Sequence, residues 1–450
     1  MRVKREAQFA LPQTNGQGRR IVITGIGLLS PAGNTLEDFW RGITCGESAV
    51  REIDLFDLGD MPIRSGGQVD TRELVKEVGE VAVSRTDRAV LMGAVAAGRA
   101  LDDAGLREAV KEDVRCGCIV GSGFGPIHAL EERYISYVTK GWQAIRPTTI
   151  PRCMFNSVAS HISIEHGLRG GHQVVAAACS SGSMAMINAY DAIRSGHEDV
   201  VLTGGCDAPI LHSIHGSWIN LRILSKNPVP EKASRPFDRK RDGLVLAEGA
   251  AMLVFEELEH ARARGARIHA EMLGYGMSSD ARHLTNPGVD GQAASIRQAL
   301  ETCGIGPGDV DYINAHGTST ILNDKTETQA IKTVLGERAR HVPISSTKSV
   351  TGHAMGASSP MGMIATALAM RHSTAPPTVN LENPDPECDL DYVPQKPRPA
   401  PIALGLCNTF GFGGANAVLV IRAFDPHFSP GLPAENPNDK GGEKLRRETK

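Results

Sequence analysis

A single thiol, Cys179, lies in the stretch 174–183, VVAAACSSGS, where a β-branched segment turns into a helical run. A thiol at the N-terminus of a helix is close to the positive end of the helix dipole and to unpaired backbone N–H groups, and both favour the thiolate. The small residues around it leave room for an acyl chain. Free cysteines are often buried and inert, so Cys179 is a candidate nucleophile that needs partners.

Two of the 15 histidines lie in glycine- and hydroxyl-rich turns directly after apolar segments. His316 lies in NAHGTST and His353 lies in SSTKSVTGH. Functional side chains of α/β folds gather at such strand ends. Lys348, which precedes His353, is a candidate for orienting that histidine or setting its charge, although a surface lysine is the plainer interpretation. Because a histidine in a turn is more often structural, the prediction depends on the combination with Cys179.

The segment 408–416, NTFGFGGAN, places Phe410 and Phe412 among three glycines ahead of the apolar run AVLVI. Such a turn can present backbone N–H groups to an oxyanion and can move as a gate. A phosphate-binding loop is the competing interpretation. It is disfavoured because the chain lacks the pattern G-x-x-x-x-G-K-[ST] and an acidic residue at dinucleotide-binding spacing.

The candidate residues follow short apolar segments that end in glycine-rich turns and lead into helical runs, an alternation typical of an α/β sheet. The first instance predicts a strand over 21–24 that runs into a glycine turn, with Asn34 or Thr35 capping the next helix. Similar units occur on both sides of residues 260–266, without a clean sequence repeat between the two sets. We therefore expect two similar halves.

We place these α/β halves at residues 20–262 and 263–424, the first carrying the cysteine and the second carrying the two histidines. Polar and proline-rich sequence predicts disordered segments at 1–19 and 425–450. The first of these lacks the apolar core of a secretory signal, and a weak organelle presequence is the alternative.

The bulk composition narrows the class of protein. Of 450 residues, 41% are hydrophobic, which is enough for a substantial core. A net charge of −3 gives no general reason to expect nucleic acid or an anionic membrane as a partner, and no apolar run reaches the roughly 18 residues of a membrane span. The scattered cysteines lack the spacing of a disulfide framework or a zinc site, so we expect a reducing, cytoplasmic location.

Taken in order, ACSSG, SRPFDRKRDG, NAHGTST, SSTKSVTGH and NTFGFGG resemble the motifs of one family, the decarboxylating β-ketoacyl–acyl carrier protein synthases of type II. The resemblance extends from about Arg20 to Phe424. It implies a thiolase-like fold, in which two similar halves form five layers, α-β-α-β-α. It also implies acyl carrier protein as a partner, no nucleotide or flavin, and a homodimer, with a heterodimer with a related subunit as the alternative. We expect no cofactor and no metal for this chain.

The resemblance implies a set of catalytic roles. Cys179 matches the nucleophile that takes the acyl group as a thioester, and its backbone N–H and that of Phe412 match the oxyanion hole. His316 and His353 match the pair that stabilises the enolate formed when malonyl carrier protein loses CO₂. Lys348 matches the lysine that supports this pair.

Further residues match binding positions of the family. Phe412 matches the gating phenylalanine, with Phe410 beside it, and Thr318 and Thr320 match threonines that bind the phosphopantetheine arm. Because the carrier protein of such systems is acidic, we also expect a basic docking patch. Its candidates are Arg222, which matches a docking arginine, with Lys140 and Arg146, for which a solvated surface position is at least as plausible.

The chain departs from the family pattern in two places. Gly362 stands where most relatives have a glutamate that supports the lysine and a bound cation, which puts the cation in doubt. In the acyl pocket, Phe124 replaces a smaller aliphatic residue, Trp218 replaces a phenylalanine and Thr149 replaces a larger aromatic residue. We hypothesise that Phe124 shortens the channel, so that the enzyme prefers short or medium acyl chains.

Several functions share these motifs. One is a fatty-acid elongating synthase, and another is a specialised ketosynthase for a polyketide, polyene or signalling-lipid chain, which the departures favour somewhat. A non-catalytic chain-length subunit is disfavoured because such subunits usually lose the cysteine that this chain keeps at Cys179. A thiolase is disfavoured because Cys407 is followed by Asn408 and Thr409, which does not fit the C-x-G loop of that class.

Overall fold

The computed structural model describes residues 18–111 and 113–425. Most of the predicted disordered segments, 1–19 and 425–450, therefore lies outside the described residues. Within them, no helix combines the length and the apolar character that crossing a membrane requires. The proposed division of the chain near residue 262 stays a prediction.

The strands of the described residues differ widely in length. They are β1 (Ile21–Leu29), β2 (Arg51–Glu52), β3 (Ser65–Gly66), β4 (Cys116–Gly121), β5 (His172–Val175), β6 (Val200–Asp207), β7 (Gly249–Glu257), β8 (Ala270–Ser279), β9 (Tyr312–Asn314), β10 (Ile344–Ser345), β11 (Thr374–Ala375), β12 (Arg398–Pro399), β13 (Leu404–Gly411) and β14 (Ala415–Arg422).

The α-helices range from one turn to about four turns. They are α1 (Leu36–Thr44), α2 (Thr71–Arg85), α3 (Arg88–Asp103), α4 (Ile127–Lys140), α5 (Thr149–Cys153), α6 (Ser157–His166), α7 (Ser181–Arg194), α8 (His212–Leu221), α9 (Leu258–Ala263), α10 (Val289–Cys303), α11 (Ile321–Leu335), α12 (Lys348–Thr351) and α13 (Ser358–His372).

Ten strands join into one sheet in the order β10-β9-β13-β14-β8-β1-β7-β6-β4-β5. On one side, β4 runs parallel to β5 and β6, while β7 is antiparallel to both β6 and β1. On the other side, β9 runs parallel to β10 and β13, while β14 is antiparallel to both β13 and β8. The two sides therefore repeat one pairing pattern, and they meet where β1 pairs with β8. This repeat is the pair of similar halves that the sequence predicts.

Helices cover both faces of each half. Helices α3 and α6 pack on the outside of the first half and α10 on the outside of the second, next to α11. Helices α7 and α13 contact each other and strands of both halves, so they form the layer between them. Three large apolar clusters correspond to these three helical layers. The result is the five-layered, thiolase-like arrangement expected from the sequence.

Strand β1 is longer than the sequence predicts, because two glycines that resemble a turn lie inside it. A Cβ atom at Gly25 would lie 2.2 Å from the Ala100 carbonyl oxygen, and one at Gly27 would lie 2.1 Å from that of Ala96. These glycines therefore allow α3 to pack directly on the strand. Of the two predicted caps of the following helix, the structure uses Thr35, whose side chain accepts a hydrogen bond from the N–H of Asp38, the third residue of α1.

Candidate active site

The candidate site is a cavity of about 280 Å³ at the ends of strands from both halves. Its lining includes Cys179, which follows β5, and His316, which follows β9. His353, between α12 and α13, completes a cluster in which the thiol and one ring nitrogen of each histidine lie within 4.8 Å of one another. The motifs that are far apart in sequence therefore meet at one point.

Cys179 is buried at the entry to α7. The preceding residue, Ala178, has a φ of 50°, a sharp backbone turn that directs the chain from the strand into the helix. Burial raises the pKa of the Cys179 thiol to about 11, although the backbone N–H groups of Phe412 and Cys179 and the charge of Lys348 each lower it. The N–H groups therefore favour the thiolate as expected, but in the free protein desolvation outweighs them and the neutral thiol is the main form.

Both histidines are buried and neutral. Burial lowers the pKa of His316 and of His353 well below the usual range, and the positive charge of Lys348 adds to the effect. The rings lie edge to face with their centroids 5.3 Å apart. His353 Nδ1 forms a 2.8 Å hydrogen bond with the Ser358 hydroxyl, while its Nε2 atom has no partner among the described residues. That free ring nitrogen is available to a substrate.

Lys348 is buried beside the histidine pair. Burial lowers the pKa of its ammonium group to about 8, while the carboxylate of Glu327 opposes this shift. Glu327 is buried on α11, where its oxygens accept hydrogen bonds from the backbone N–H groups of His316 at 2.8 Å and Gly317 at 2.7 Å. Its burial raises its own pKa to about 7. Glu327 thus holds the turn that carries His316 and supplies the carboxylate that faces Lys348.

The position of the missing glutamate is filled by another side chain. A Cβ atom at Gly362 would lie 2.7 Å from the Asn314 Oδ1 atom. The oxygens of Glu327 already accept backbone N–H groups, and Asn408, which donates to Glu327, has an Oδ1 atom that is buried without a partner in the described residues. Two amide oxygens and an occupied carboxylate do not make a complete cation site, so the residues present do not fit that ion.

The glycine-rich turn covers the thiol. Phe412 begins a short 3₁₀ turn after β13, and its ring stacks on Trp218 with centroids 5.8 Å apart. Phe410 lies edge-on to His316 at 6.0 Å. Because the Phe412 N–H reaches the Cys179 sulfur, this turn brings a second backbone donor to the position where an oxyanion would form.

The outer part of the cavity carries both hydroxyl groups and exposed apolar side chains. Thr318 and Thr320 line it, with their hydroxyl oxygens 2.9 Å apart, and Thr320 also caps α11 by accepting from the Asn323 N–H. Arg222 lines the mouth, exposed at the end of α8. These three predicted binding residues therefore line the same cavity as Cys179.

The remaining predicted residues divide into two groups. Trp218 lines the cavity, and Phe124 packs in the apolar group that also contains Cys179. Thr149 is not among the residues that line the cavity, because it lies at the start of α5 on a segment with exposed apolar neighbours. Lys140 and Arg146 are exposed at the end of α4 and in the loop after it, also outside the cavity lining. Their roles stay predictions.

Three contacts of the site were not anticipated from sequence. They involve Glu327, Ser358 and Met355, whose sulfur lies 3.9 Å from that of Cys179. Glu327 lies on α11, the helix that begins directly after the NAHGTST motif. An acidic residue on the helix that follows a catalytic turn is therefore the signal that could have identified it.

Comparison with known proteins agrees with this geometry. Residues 18–261 match the β-ketoacyl synthase N-terminal domain, and residues 269–382 match the β-ketoacyl synthase C-terminal domain. A curated relative from Synechocystis, 3-oxoacyl-[acyl-carrier-protein] synthase 2, is 40% identical over 91% of this chain and 99% of its own length. The protein of the same name from Coxiella burnetii is 40% identical over 90% and 99%.

Solved structures of ketosynthases are also similar to this chain. The ishigamide ketosynthase/chain length factor superimposes with a TM-score of 0.85 at 36% identity, over 91% of this chain and all of that one. A type II polyketide ketosynthase in complex with its acyl carrier protein, AntDE:AntF, has a TM-score of 0.84 at 33% identity, over 91% of this chain and all of that one. With both family domains matched in order and relatives aligned along nearly their whole length, this chain belongs to the β-ketoacyl synthase family.

Proposed function

We propose that the chain is a β-ketoacyl–acyl carrier protein synthase, which joins an acyl group held on Cys179 to the two-carbon unit of malonyl carrier protein. The observation that carries this is the buried cluster of one thiol and two neutral imidazoles, whose reactive atoms lie within 4.8 Å of one another. A nucleophile for the acyl group and two donors for an enolate are the groups that a decarboxylating condensation needs.

In the first half-reaction, the Cys179 sulfur attacks the thioester carbonyl of the acyl carrier protein. The tetrahedral oxyanion accepts hydrogen bonds from the backbone N–H groups of Cys179 and Phe412, which already reach the sulfur in the free protein. The bond between the carbonyl carbon and the carrier sulfur breaks, and the thiol proton ends on the departing carrier thiolate. The acyl group is then a thioester of Cys179.

In the second half-reaction, the malonyl thioester carbonyl lies against the two histidines. Each neutral ring carries one N–H, and His353 Nε2 can donate when the Ser358 hydroxyl donates to Nδ1. The bond to the carboxylate breaks, CO₂ leaves, and its electron pair forms the enolate that these donors stabilise. The enolate carbon attacks the acyl carbonyl of Cys179, the carbon–sulfur bond breaks, and the thiolate takes up a proton. Lys348 keeps both rings neutral.

The carrier protein docks at the cavity mouth in this proposal. Arg222 is exposed there and supplies positive charge for an acidic partner, while Thr318 and Thr320 line the path of the arm. Charges at the rim of an interface mainly affect the rate at which the two proteins associate. Because Cys179 must stay reduced to act, we propose the cytoplasm as the compartment.

A second copy of the chain fits the surface that carries α4 and α5. Apolar side chains are exposed there, including Tyr134 (66%), Trp142 (70%) and Ile150 (69%), and β5 forms an open edge of the ten-stranded sheet. Large exposed apolar surfaces of this kind mark interfaces. We propose a homodimer through this face, and a sedimentation measurement that finds only monomer would contradict it.

Fatty-acid elongation is the pathway supported by the curated relatives, which share 40% identity. A specialised ketosynthase is the second candidate, and the observation that favours it is the packing of Phe124 beside Trp218, with ring centroids 6.5 Å apart, behind the thiol. This packing leaves less room for a long chain. The chemistry is the same in both cases.

The test is the intact mass of the protein after incubation with acyl carrier proteins of several chain lengths and then with malonyl carrier protein. We expect an acyl adduct that Cys179→Ala abolishes, followed by a β-ketoacyl product. An adduct without product would mean an acyl transferase that cannot decarboxylate. The absence of any adduct would favour a non-catalytic partner subunit.

A further inference from the structure

Asp207 is a buried carboxylate at the carboxyl end of β6 that the proposed mechanism does not use. Its Oδ1 atom accepts hydrogen bonds from the Ser122 hydroxyl at 2.8 Å and the Phe124 backbone N–H at 2.9 Å. Its Oδ2 atom accepts from the backbone N–H groups of Gly123 at 2.8 Å and Gly356 at 2.7 Å. One side chain therefore ties together the turn after β4 and the turn before α13.

Each of these turns carries a side chain that packs beside the thiol. Phe124 and Met355 belong to the same apolar group as Cys179 and Trp218. Met355 has a φ of 47°, a conformation that L residues rarely adopt, and the hydrogen bond from the next N–H to Asp207 holds it there. Neither side chain lines the open cavity, so together they form a packed wall behind Cys179.

The carboxylate is suited to holding this wall rigidly. Two oxygens with two donors each use the acceptor capacity of the group fully, and hydrogen bonds to a charged acceptor are stronger than neutral ones. Burial raises the pKa of Asp207 to about 6, and its hydrogen-bond donors oppose that rise. The anion is therefore the main form at neutral pH. Its charge also raises the pKa of the nearby Cys179 thiol.

We propose that Asp207 is a positioning residue that fixes Phe124 and Met355 as the end wall of the acyl site, and thereby limits the length of acyl chain that Cys179 accepts. The inference rests on the proposed function, because the acyl-enzyme is its readout. An acyl chain on Cys179 either stays within the space in front of this wall or displaces it. Displacing it breaks hydrogen bonds to Asp207, so the rigidity of the wall sets the limit together with the size of Phe124.

The test uses Asp207→Asn in the full chain. An asparagine of nearly the same size can direct its NH₂ group at the Ser122 hydroxyl, which can accept, and its oxygen at Gly123 and Gly356. The Phe124 N–H then loses its acceptor, which releases that side of the wall. We expect the ratio of decanoyl to hexanoyl loading on Cys179, measured by intact mass against time, to rise at least tenfold.

Two further variants make the result decisive. Ser122→Ala loosens the same turn without changing the carboxylate, and we expect a smaller rise in the same ratio. Asp238→Asn changes another buried carboxylate, which accepts from the backbone N–H groups of Glu382 and Asn383 and does not line the cavity. We expect it to lower stability and leave the ratio unchanged.

The outcomes separate this inference from the function on which it rests. Adducts on all variants with an unchanged ratio in Asp207→Asn would overturn the positioning role and leave the proposed function intact. If Asp207→Asn fails to fold, the loading ratio of Ser122→Ala is used instead. A rise in that ratio supports the positioning role, and an unchanged ratio overturns it. If the wild-type protein forms no adduct with any chain length, both the function and the inference are overturned.

Discussion

The Nδ1 atom of His353 lies 2.8 Å from the hydroxyl oxygen of Ser358, and that oxygen also accepts a hydrogen bond from the Ala354 N–H at 2.8 Å. The hydroxyl is thus fixed at the first residue of α13 and in turn fixes the imidazole ring. With Nδ1 occupied, Nε2 is the ring atom left for substrate. The serine therefore controls which nitrogen of His353 can stabilise an enolate.

Replacing Ser358 by alanine should slow decarboxylation while leaving acylation of Cys179 largely intact. Loss of a buried hydrogen bond costs about 1–3 kcal/mol, which corresponds to roughly 5-fold to 160-fold in rate. The measurement is CO₂ release from malonyl carrier protein alongside acyl-adduct formation. Ser359→Ala is the matched control, because the neighbouring hydroxyl is buried without a partner in the described residues. Equal losses in both variants would contradict a specific role for Ser358.

Lys348 should make the Cys179 thiol more reactive. Its positive charge lowers the thiol pKa, so Lys348→Met raises that pKa and reduces the thiolate fraction tenfold for each pKa unit gained. We expect slower alkylation by iodoacetamide at pH 7. The rate should rise with pH towards the thiol pKa of about 11, less steeply above pH 8, where Lys348 itself loses its charge. Lys332→Met, at a surface lysine paired with Asp389, should leave the profile unchanged.

Gly182, three residues after the nucleophile, should not tolerate a side chain. A Cβ atom there would lie 2.3 Å from the Gly356 carbonyl oxygen and 2.6 Å from Pro360 Cδ. Overpacking of this kind costs about 1–3 kcal/mol, so Gly182→Ala should lower the unfolding temperature and separate α7 from the turn beside it. In the control, Gly216→Ala within α8, the nearest atom is 3.6 Å away, and the change should be neutral or slightly stabilising. Thermal unfolding of both variants checks this.

Phe124 should shorten the acyl chain that the site accepts. Phe124→Leu removes ring atoms beside Trp218 and should increase loading of long chains relative to short ones, by roughly tenfold if one packed contact of about 1.4 kcal/mol decides the limit. The measurement compares adducts from six-carbon and sixteen-carbon carrier proteins. If the wild-type protein already loads both at the same rate, Phe124 does not set the length.

Arg222 should matter for the carrier protein but not for chemistry. It ends α8 with a φ of 61°, so Arg222→Asn is suitable because asparagine tolerates that conformation. We expect a higher KM for acyl carrier protein, an effect that decreases with added salt, and no change with acyl-pantetheine as substrate. Arg146→Asn, outside the cavity lining, tests whether the docking surface extends to α4 and the loop after it. A change in kcat with acyl-pantetheine would contradict a docking role.

The sequence was sufficient to predict the fold and the residues that meet at the cavity. The reason is that candidate catalytic side chains at strand ends follow local patterns of glycine, hydroxyl and apolar residues. It was not sufficient to predict properties that depend on how deeply the folded chain buries a residue. The sign of the Cys179 pKa shift is one such case, because desolvation outweighs the helix terminus. Thr149 lies outside the cavity lining of the single chain, so its role in the acyl pocket stays a prediction. Asp207 accepts backbone N–H groups from two turns that are far apart in sequence, and no side-chain motif gives a signal for such contacts.

The repeated strand pattern has a consequence for how such an enzyme can diversify. The residues that we propose for the acyl chain, Phe124, Asp207 and Trp218, come from the first half, and those that we propose for malonate, His316 and His353, come from the second. Substitutions around the acyl site of the first half can therefore alter which product is made while leaving the two histidines in place. In a duplicated scaffold of this kind, substitutions that change chain length can accumulate away from the histidines. New chain lengths can therefore arise while the enzyme stays active.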